Sequence, residues 1–303
     1  MKEPKFDFYD KTSLKSYNLD ESMQYQLKIL DSLDAFTKVH SENVANLTCR
    51  ICEYLHLPKA FTIYTTICAY IHDIGKQFIP PAVLQKNGSL TADEYEIMKT
   101  HTTIGYEICM RDTKLREYIA GPYYHHEALD GTGYPQGLKK EDIPYEGQII
   151  RVADEFDAIS SRRQYKSHVG ICDTIKILIQ NSNPTIKGEK YGKNNKKVLK
   201  CLIKVILDDT SIEIYAYQLH LENIQSNLKR LKQILAYKNE YLKAKNEKSK
   251  SYYLNGVTML LKENENIDNI EIVNQDYLNA STKTQDKLNL LNAEYKNIKK
   301  LKV

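Results

Sequence analysis

Five of the eight histidines stand in an order that a metal site would use: His40, His72 beside Asp73, His101, the pair His125-His126, and then Asp154. A lone histidine on a helix more often packs or faces solvent than binds a ligand. The set argues differently. His40 shares the apolar stripe of its own helix pattern, and His72-Asp73 closes an apolar run, so these groups face the interior. Interior imidazoles and carboxylates need partners, and a divalent ion satisfies several at once. Neutral imidazole with carboxylate suits Fe, Mn, Zn or Ni, whereas Mg and Ca prefer all-oxygen sites. Seven candidate ligands exceed the need of one ion, so two ions sharing a bridging carboxylate is the economical arrangement. Such a pair ionises water and stabilises the oxygens of an in-line displacement.

The elements that must carry these residues read as helices. Phe36, His40, Val44, Leu47, Ile51 and Leu55 recur at three- and four-residue steps, which predicts a helix over 35–57 closed by Pro58. A second helix is expected over 60–74, closed by Gly75. A third is expected over 92–110, with Thr91 as N-cap and Asp93, Glu94 and Glu96 in its first turn. A fourth covers 114–130. Next comes a loop, Gly131 to Pro144, with three glycines and two prolines. A fifth helix runs from near Gln148 to about Ser161. No run of alternating β-branched residues is long enough for a sheet, so the body is expected to be all-α.

The composition is uneven. The chain has 303 residues and a formal net charge of +4, too balanced for a strongly basic binder of nucleic-acid polymers or for an acidic disordered protein. All 8 prolines fall at or before Pro184, and 11 of the 12 glycines at or before Gly192. The excess positive charge lies after residue 209. Leu221, Ile224, Leu228, Leu231, Leu235, Lys238 and Leu242 step 3-4-3-4-3-4, a heptad seam broken at Lys238. Leu288, Leu291, Tyr295 and Ile298 form a second run, with an Asn- and Glu-rich turn region near 262–276 between them. An antiparallel hairpin within one chain and a coiled coil between two chains both fit. Three regions follow: an N-terminal segment 1–30, a body 31–209 and a helical, coiled-coil-like tail 210–303. The start of the chain has no apolar stretch suited to a signal peptide, and no window approaches a membrane span, so a cytoplasmic protein is expected. Cys49 and Cys52 form a C-x-x-C inside a helix pattern with no second pair nearby, and read as ordinary buried thiols.

His72-Asp73-Ile74-Gly75-Lys76 resembles the signature of the HD-domain metal-dependent phosphohydrolases. His125-His126-Glu127-x-x-Asp130-Gly131-x-Gly133-Tyr134-Pro135-x-Gly137-Leu138 is similar to the extended motif of the HD-GYP subclass. Val152-Ala153-Asp154-x-Phe156-Asp157-Ala158, Ile79-Pro80, Met98-Lys99-x-His101, and Arg163 with Lys166 fit the same subclass. The likeness is continuous from about Asp34 to Lys166. It implies an all-helical HD-domain bundle that hydrolyses cyclic dinucleotides, chiefly cyclic di-GMP, to the linear pGpG through a metal-bridging hydroxide. It also implies one ion on His40, His72, Asp73 and Asp154, and another on Asp73, His101, His125 and His126. Fe or Mn heads the list of metals, with Ni or Zn as alternatives. Lys76 matches the lysine that touches the scissile phosphate. Arg163 and Lys166 match residues that hold the substrate's phosphates; a surface ion pair is the other reading of Arg163. Tyr134 either stacks on a base or packs its loop.

The physics suits a phosphodiester, an anion that water attacks slowly. Two metals about 3.5–4 Å apart supply both nucleophile and charge neutralisation. A lysine one turn after Asp73 reaches a non-bridging oxygen, and a guanidinium grips phosphate with a planar fork. Members of the family with a third metal carry glutamate where this chain has Phe36, so a two-metal site is expected. Asn43 and Lys140 stand where an arginine and a glycine are common. Two other readings remain: a phosphohydrolase for another nucleotide such as cyclic GMP-AMP, and a slow sensor or scaffold that binds the dinucleotide. In either case the tail helices are the place for a second copy or a protein partner.

Overall fold

The computed structural model describes residues 35–160, 169–185, 190–263 and 265–303, with side chains from Thr37 onward. The N-terminal segment 1–30, the Phe36 side chain, Arg163 and Lys166 lie outside the described residues. Among the described residues the regular elements are helices, as expected of an all-α body. They form two compact units, residues 35–208 with 297–303, and residues 209–296.

The first unit is built from α1 (Ala35–Tyr54), α2 (Lys59–Tyr70), a 3-10 turn (Ile74–Phe78), α3 (Pro81–Leu84), α4 (Ala92–Lys99), α5 (His101–Arg111), α6 (Ala120–Tyr124), α7 (Tyr145–Ser160), α8 (Ile171–Asn181) and the first turns of α9 (Lys196–Lys243). α1 packs on α2 and α7. Its apolar stripe supplies Val44 and Ile51, which meet Ile71, Ile150, Val152 and Leu202 in one fully buried core. Each such side chain taken from water contributes about 1.5–3 kcal/mol. Cys49 and Cys52 are part of this core, as the helical pattern implies.

Several helix boundaries differ from expectation: α1 ends at Tyr54 rather than at residue 57, α7 begins at Tyr145 rather than near Gln148, and three others change more. α2 stops at Tyr70 rather than at residue 74, so His72 and Asp73 sit in a turn instead of on a helix. Ile74 N–H bonds the Ile71 carbonyl at 3.0 Å and Lys76 N–H that of Asp73 at 2.9 Å, a tighter ladder than the α-helix. Gly75 makes the turn possible: a Cβ there would lie 2.0 Å from the His101 carbonyl oxygen. The expected helix 92–110 is two helices, because Thr100 N–H bonds Ile97 at 3.1 Å and the ladder resets before His101. Thr91 does cap α4, in a capping box with Glu94. The expected helix 114–130 shrinks to a short 3-10 turn (Arg116–Tyr118) and α6, since Pro122 is tolerated only in a first turn.

The second unit contains the rest of α9, α10 (Glu247–Leu260) and α11 (Ile270–Lys299). α10 was not legible in the pattern; Asn246 caps it by accepting from Ser249 N–H at 2.8 Å. Tyr217 and Leu221 of α9 pack with Leu288 and Leu291 of α11. Further along, Leu231 and Ile234 meet Val257 and Ile270. The seam is therefore satisfied within one chain. Its register departs from the heptad: Asn227 and Ile234 are buried, Leu228 and Leu235 only half-buried, and Leu242 is 69% exposed. A helix that meets two neighbours buries a wider face than a strict coiled-coil seam. At its edge the Arg230 guanidinium donates to both Glu265 carboxylate oxygens at 2.6 Å and to the Leu260 carbonyl at 2.8 Å. Residues 297–303, assigned to the tail by sequence, pack instead in the first unit, where Ile298 is fully buried.

Candidate metal centre

Asp73, 1% exposed, stands at the middle of the histidine cluster. Its Oδ2 lies 3.3 Å from His72 Nε2 and 3.7 Å from His40 Nε2, and accepts from Lys76 Nζ at 2.5 Å. Its Oδ1 faces the other way, 3.5 Å from His101 Nε2 and 3.8 Å from His125 Nε2. Asp154 Oδ1 is 3.0 Å from His40 Nε2 and 3.9 Å from His72 Nε2, and its Oδ2 is 4.0 Å from His126 Nδ1. Two donor groups result. His40, His72 and Asp73 offer ligand atoms within 4.8 Å of one another, and so do His101, His125 and His126. All seven residues picked from the sequence as metal ligands thus come together.

Local structure aims these rings. His72 Nδ1 donates to the Ala69 carbonyl at 2.6 Å, His101 Nδ1 to Met98 at 2.6 Å and His125 Nδ1 to Gly121 at 2.8 Å. Each bond places the proton on Nδ1 and leaves the Nε2 lone pair toward the centre. His101 starts α5 while its side chain reaches back to α4, a use of the break at Thr100. His72 Nε2 and Asp73 Oδ1 are buried without any hydrogen-bond partner. Buried polar atoms left so are costly, and a cation between the two groups is what this donor set fits.

The charges follow from the packing. Burial would raise the Asp73 carboxyl, but the His72 ring and the Lys76 ammonium outweigh it and hold the acid well below its usual range. Asp154 is held low in the same way, by His40 and His126 against burial. Burial drives His101 down to about 4, so its ring is neutral and able to donate a lone pair. Burial and the neighbouring His72 and His101 rings hold His125 low as well. For His40 burial acts downward too, but the bonds to Asp154 and Asp157 prevail and push it up to about 9.

Three polar residues were not assigned a role from sequence. Asp157 Oδ2 takes the His40 Nδ1 bond at 2.7 Å, and Asn43 Nδ2 donates to its Oδ1 at 3.1 Å. The signal was present: Asp154 and Asp157 are three apart, hence on one face of α7. Asn43, singled out as a departure, is part of this support. Glu127, 1% exposed, accepts from Gln136 N–H at 2.7 Å and Leu138 N–H at 2.9 Å, pinning the Gly131–Pro144 loop. Gly133 presses into the same loop, where a Cβ would lie 2.2 Å from the Ala128 nitrogen. Lys140 donates to Tyr191 Oη at 2.8 Å. Tyr134 stacks on His126, ring centroids 4.6 Å apart and planes at 25°.

The family model described as HD domain matches residues 24–186. Among curated proteins, the chain is 42% identical over 167 residues to a cyclic di-GMP phosphodiesterase of Thermotoga maritima, covering 52% of this chain and 45% of that one. It is 33% identical over 165 residues to 3'3'-cGAMP-specific phosphodiesterase 3 of Vibrio cholerae, covering 54% and 36%. It is 30% identical over 249 residues to cyclic di-GMP phosphodiesterase PdeB of Borreliella burgdorferi, covering 79% and 62%. The chain spans about half the length of these relatives. A solved structure of an HDG"Y"P protein from Bdellovibrio bacteriovorus aligns with a TM-score of 0.48 at 20% identity, covering 66% of each chain. No helix among the described residues is long and apolar enough to cross a membrane.

Proposed function

The chain belongs to the HD-domain family, and from that premise we propose that it is a metal-dependent phosphodiesterase opening cyclic di-GMP to linear pGpG. The observation that carries this reading is Asp73, whose two oxygens face two separate groups of histidine nitrogens. Two divalent ions fit it, Fe or Mn first and Ni or Zn next. His40, His72, Asp73 and Asp154 would hold one, and Asp73, His101, His125 and His126 the other. When bound, the ions neutralise phosphate charge and acidify water.

The chain's own groups do the rest. Backbone carbonyls hold the protons of His72, His101 and His125 on Nδ1 and keep the rings from turning. Lys76 extends its ammonium over the Asp73 carboxylate, where it meets a non-bridging phosphate oxygen. Tyr134 presents a ring beside His126 for the substrate to rest on. Arg163 and Lys166 are assigned to the substrate's phosphates on the family resemblance. The test is incubation of the metal-loaded protein with cyclic di-GMP and chromatography of the products; no linear dinucleotide with either Fe or Mn sinks the reading.

A second substrate is favoured by one specific likeness, that to the 3'3'-cGAMP-specific enzyme of V. cholerae. Parallel rates on both cyclic dinucleotides decide between them. A partner or second copy is assigned to the tail, supported by the large apolar side chains it exposes, such as Met259 at 87% and Ile272 at 66%.

A further inference from the structure

The donor groups and Lys76 are assigned to the phosphate being cleaved, Arg163 and Lys166 to phosphate on resemblance, and Tyr134 to one resting surface. Yet a cyclic dinucleotide carries two phosphates and two bases. Beside the centre, α4 presents a surface that none of the metal-binding assignments uses. The Tyr95 ring stands edge-on to Tyr134, centroids 6.3 Å apart and planes at 81°. One turn later the Lys99 ammonium lies 5.3 Å from the Tyr95 centroid and 5.8 Å from that of Tyr134. Tyr134 in turn stacks on His126. A run of ring contacts, one stacked and one edge-on, thus leads from a candidate ligand outward to a cation. Tyr95 keeps 47% of its surface open, so its ring is accessible to a ligand.

We propose that Tyr95 and Lys99 form a subsite for the half of the cyclic dinucleotide that is not being cleaved. The Tyr95 face stacks on its purine base, and the Lys99 ammonium pairs with its phosphate. The chemistry suits both contacts. Every base offers a π face to an aromatic ring, and a cation lodged between two rings is already positioned. Lys99 now pairs with Glu96 at 2.6 Å, but that carboxylate is 69% exposed. An exposed ion pair is worth little, so an incoming phosphate displaces it at small cost. Met98, between the two, gives its carbonyl to His101, so the subsite is on the same turn of chain that aims a donor of the centre.

The inference rests on the proposed function, and the test separates the two. Binding of a hydrolysis-resistant phosphorothioate analogue of cyclic di-GMP to the full chain is measured by equilibrium dialysis for wild type, Tyr95→Leu, Tyr95→Phe, Lys99→Gln and Lys99→Arg. Metal content and unfolding temperature are recorded for each. Removing a stacking ring or the cation should weaken binding about tenfold, the scale of one base stack, with metal content and unfolding temperature at wild-type values. Tyr95→Phe and Lys99→Arg should restore binding to within about twofold. Wild-type affinity in both Tyr95→Leu and Lys99→Gln overturns the subsite while leaving the enzyme reading intact. No binding by wild type overturns both together.

Discussion

At the scale of single residues, the centre depends on where each carboxylate oxygen points. Asp73 divides its two oxygens between two histidine groups, so Asp73→Ala should strip both ions and abolish turnover. Elemental analysis beside a rate measurement checks this, and a variant that keeps full metal and full rate refutes the bridging role. Lys76 touches Asp73 but offers no ligand atom while charged. Lys76→Ala should therefore keep its metal and lose about 100-fold in kcat, the usual scale for one electrostatic donor to a transition state. Asp157 acts through His40, taking its Nδ1 bond at 2.7 Å. Asp157→Ala frees that ring to turn and should lower metal affinity about 10- to 100-fold, measured by competition with a chelator at constant pH.

At the scale of elements, function depends on where helices stop. Had α2 continued through residue 74, His72 and Asp73 would lie on successive faces of one cylinder, about 100° apart. The turn instead brings both toward the centre, and Gly75 permits it by its contact with the His101 carbonyl. Gly75→Ala forces the turn away from the start of α5, and the clash should cost about 1–3 kcal/mol or more. The expected result is a lower unfolding temperature together with a loss of bound metal, since Asp73 and His101 separate. The loop after His126 depends likewise on Glu127. Glu127→Gln keeps one acceptor oxygen but turns its NH2 donor toward the other loop N–H. Glu127→Ala leaves both N–H groups without their acceptor at about 1–3 kcal/mol each, so both variants should unfold at a lower temperature than wild type. Thermal unfolding of the two variants beside wild type measures the difference.

At the scale of the whole molecule, the second unit carries an acid-sensitive contact of its own. In the tail, the Arg230 guanidinium holds the Glu265 carboxyl below its ordinary range. A depressed acid binds fewer protons folded than unfolded. Its contribution is therefore complete above the ordinary glutamate value of about 4.3, and is lost as the pH falls through the lower folded value. Glu265→Gln should remove this part of the acid sensitivity. Hydrogen exchange across residues 209–296 at neutral and acid pH reads it: wild type should lose more protection on acidification than the variant does.

What was legible in the sequence were the features set by residue type and local periodicity. The helical class follows from three- and four-residue apolar steps, and the histidine-aspartate set from chemistry that few other roles use in that combination. The C-x-x-C reads as core in the sequence and is core in the structure, because Val44 and Ile51 on the same helix define a buried face. Boundaries were less legible, since a 3-10 turn at Ile74–Phe78 and the reset at Thr100 keep a nearly helical spacing. The heptad in α9 suggested a seam but not its partner, because the same apolar stripe serves a second chain or α10 and α11 equally well. By itself the sequence determined which side chains could bind a cation and that helices would carry them. Only the tertiary structure decided that Asp157 and Asn43 steady His40, and that Tyr95 and Lys99 adjoin Tyr134. Those are relations between segments far apart in the chain, and they depend on packing geometry that no local pattern encodes.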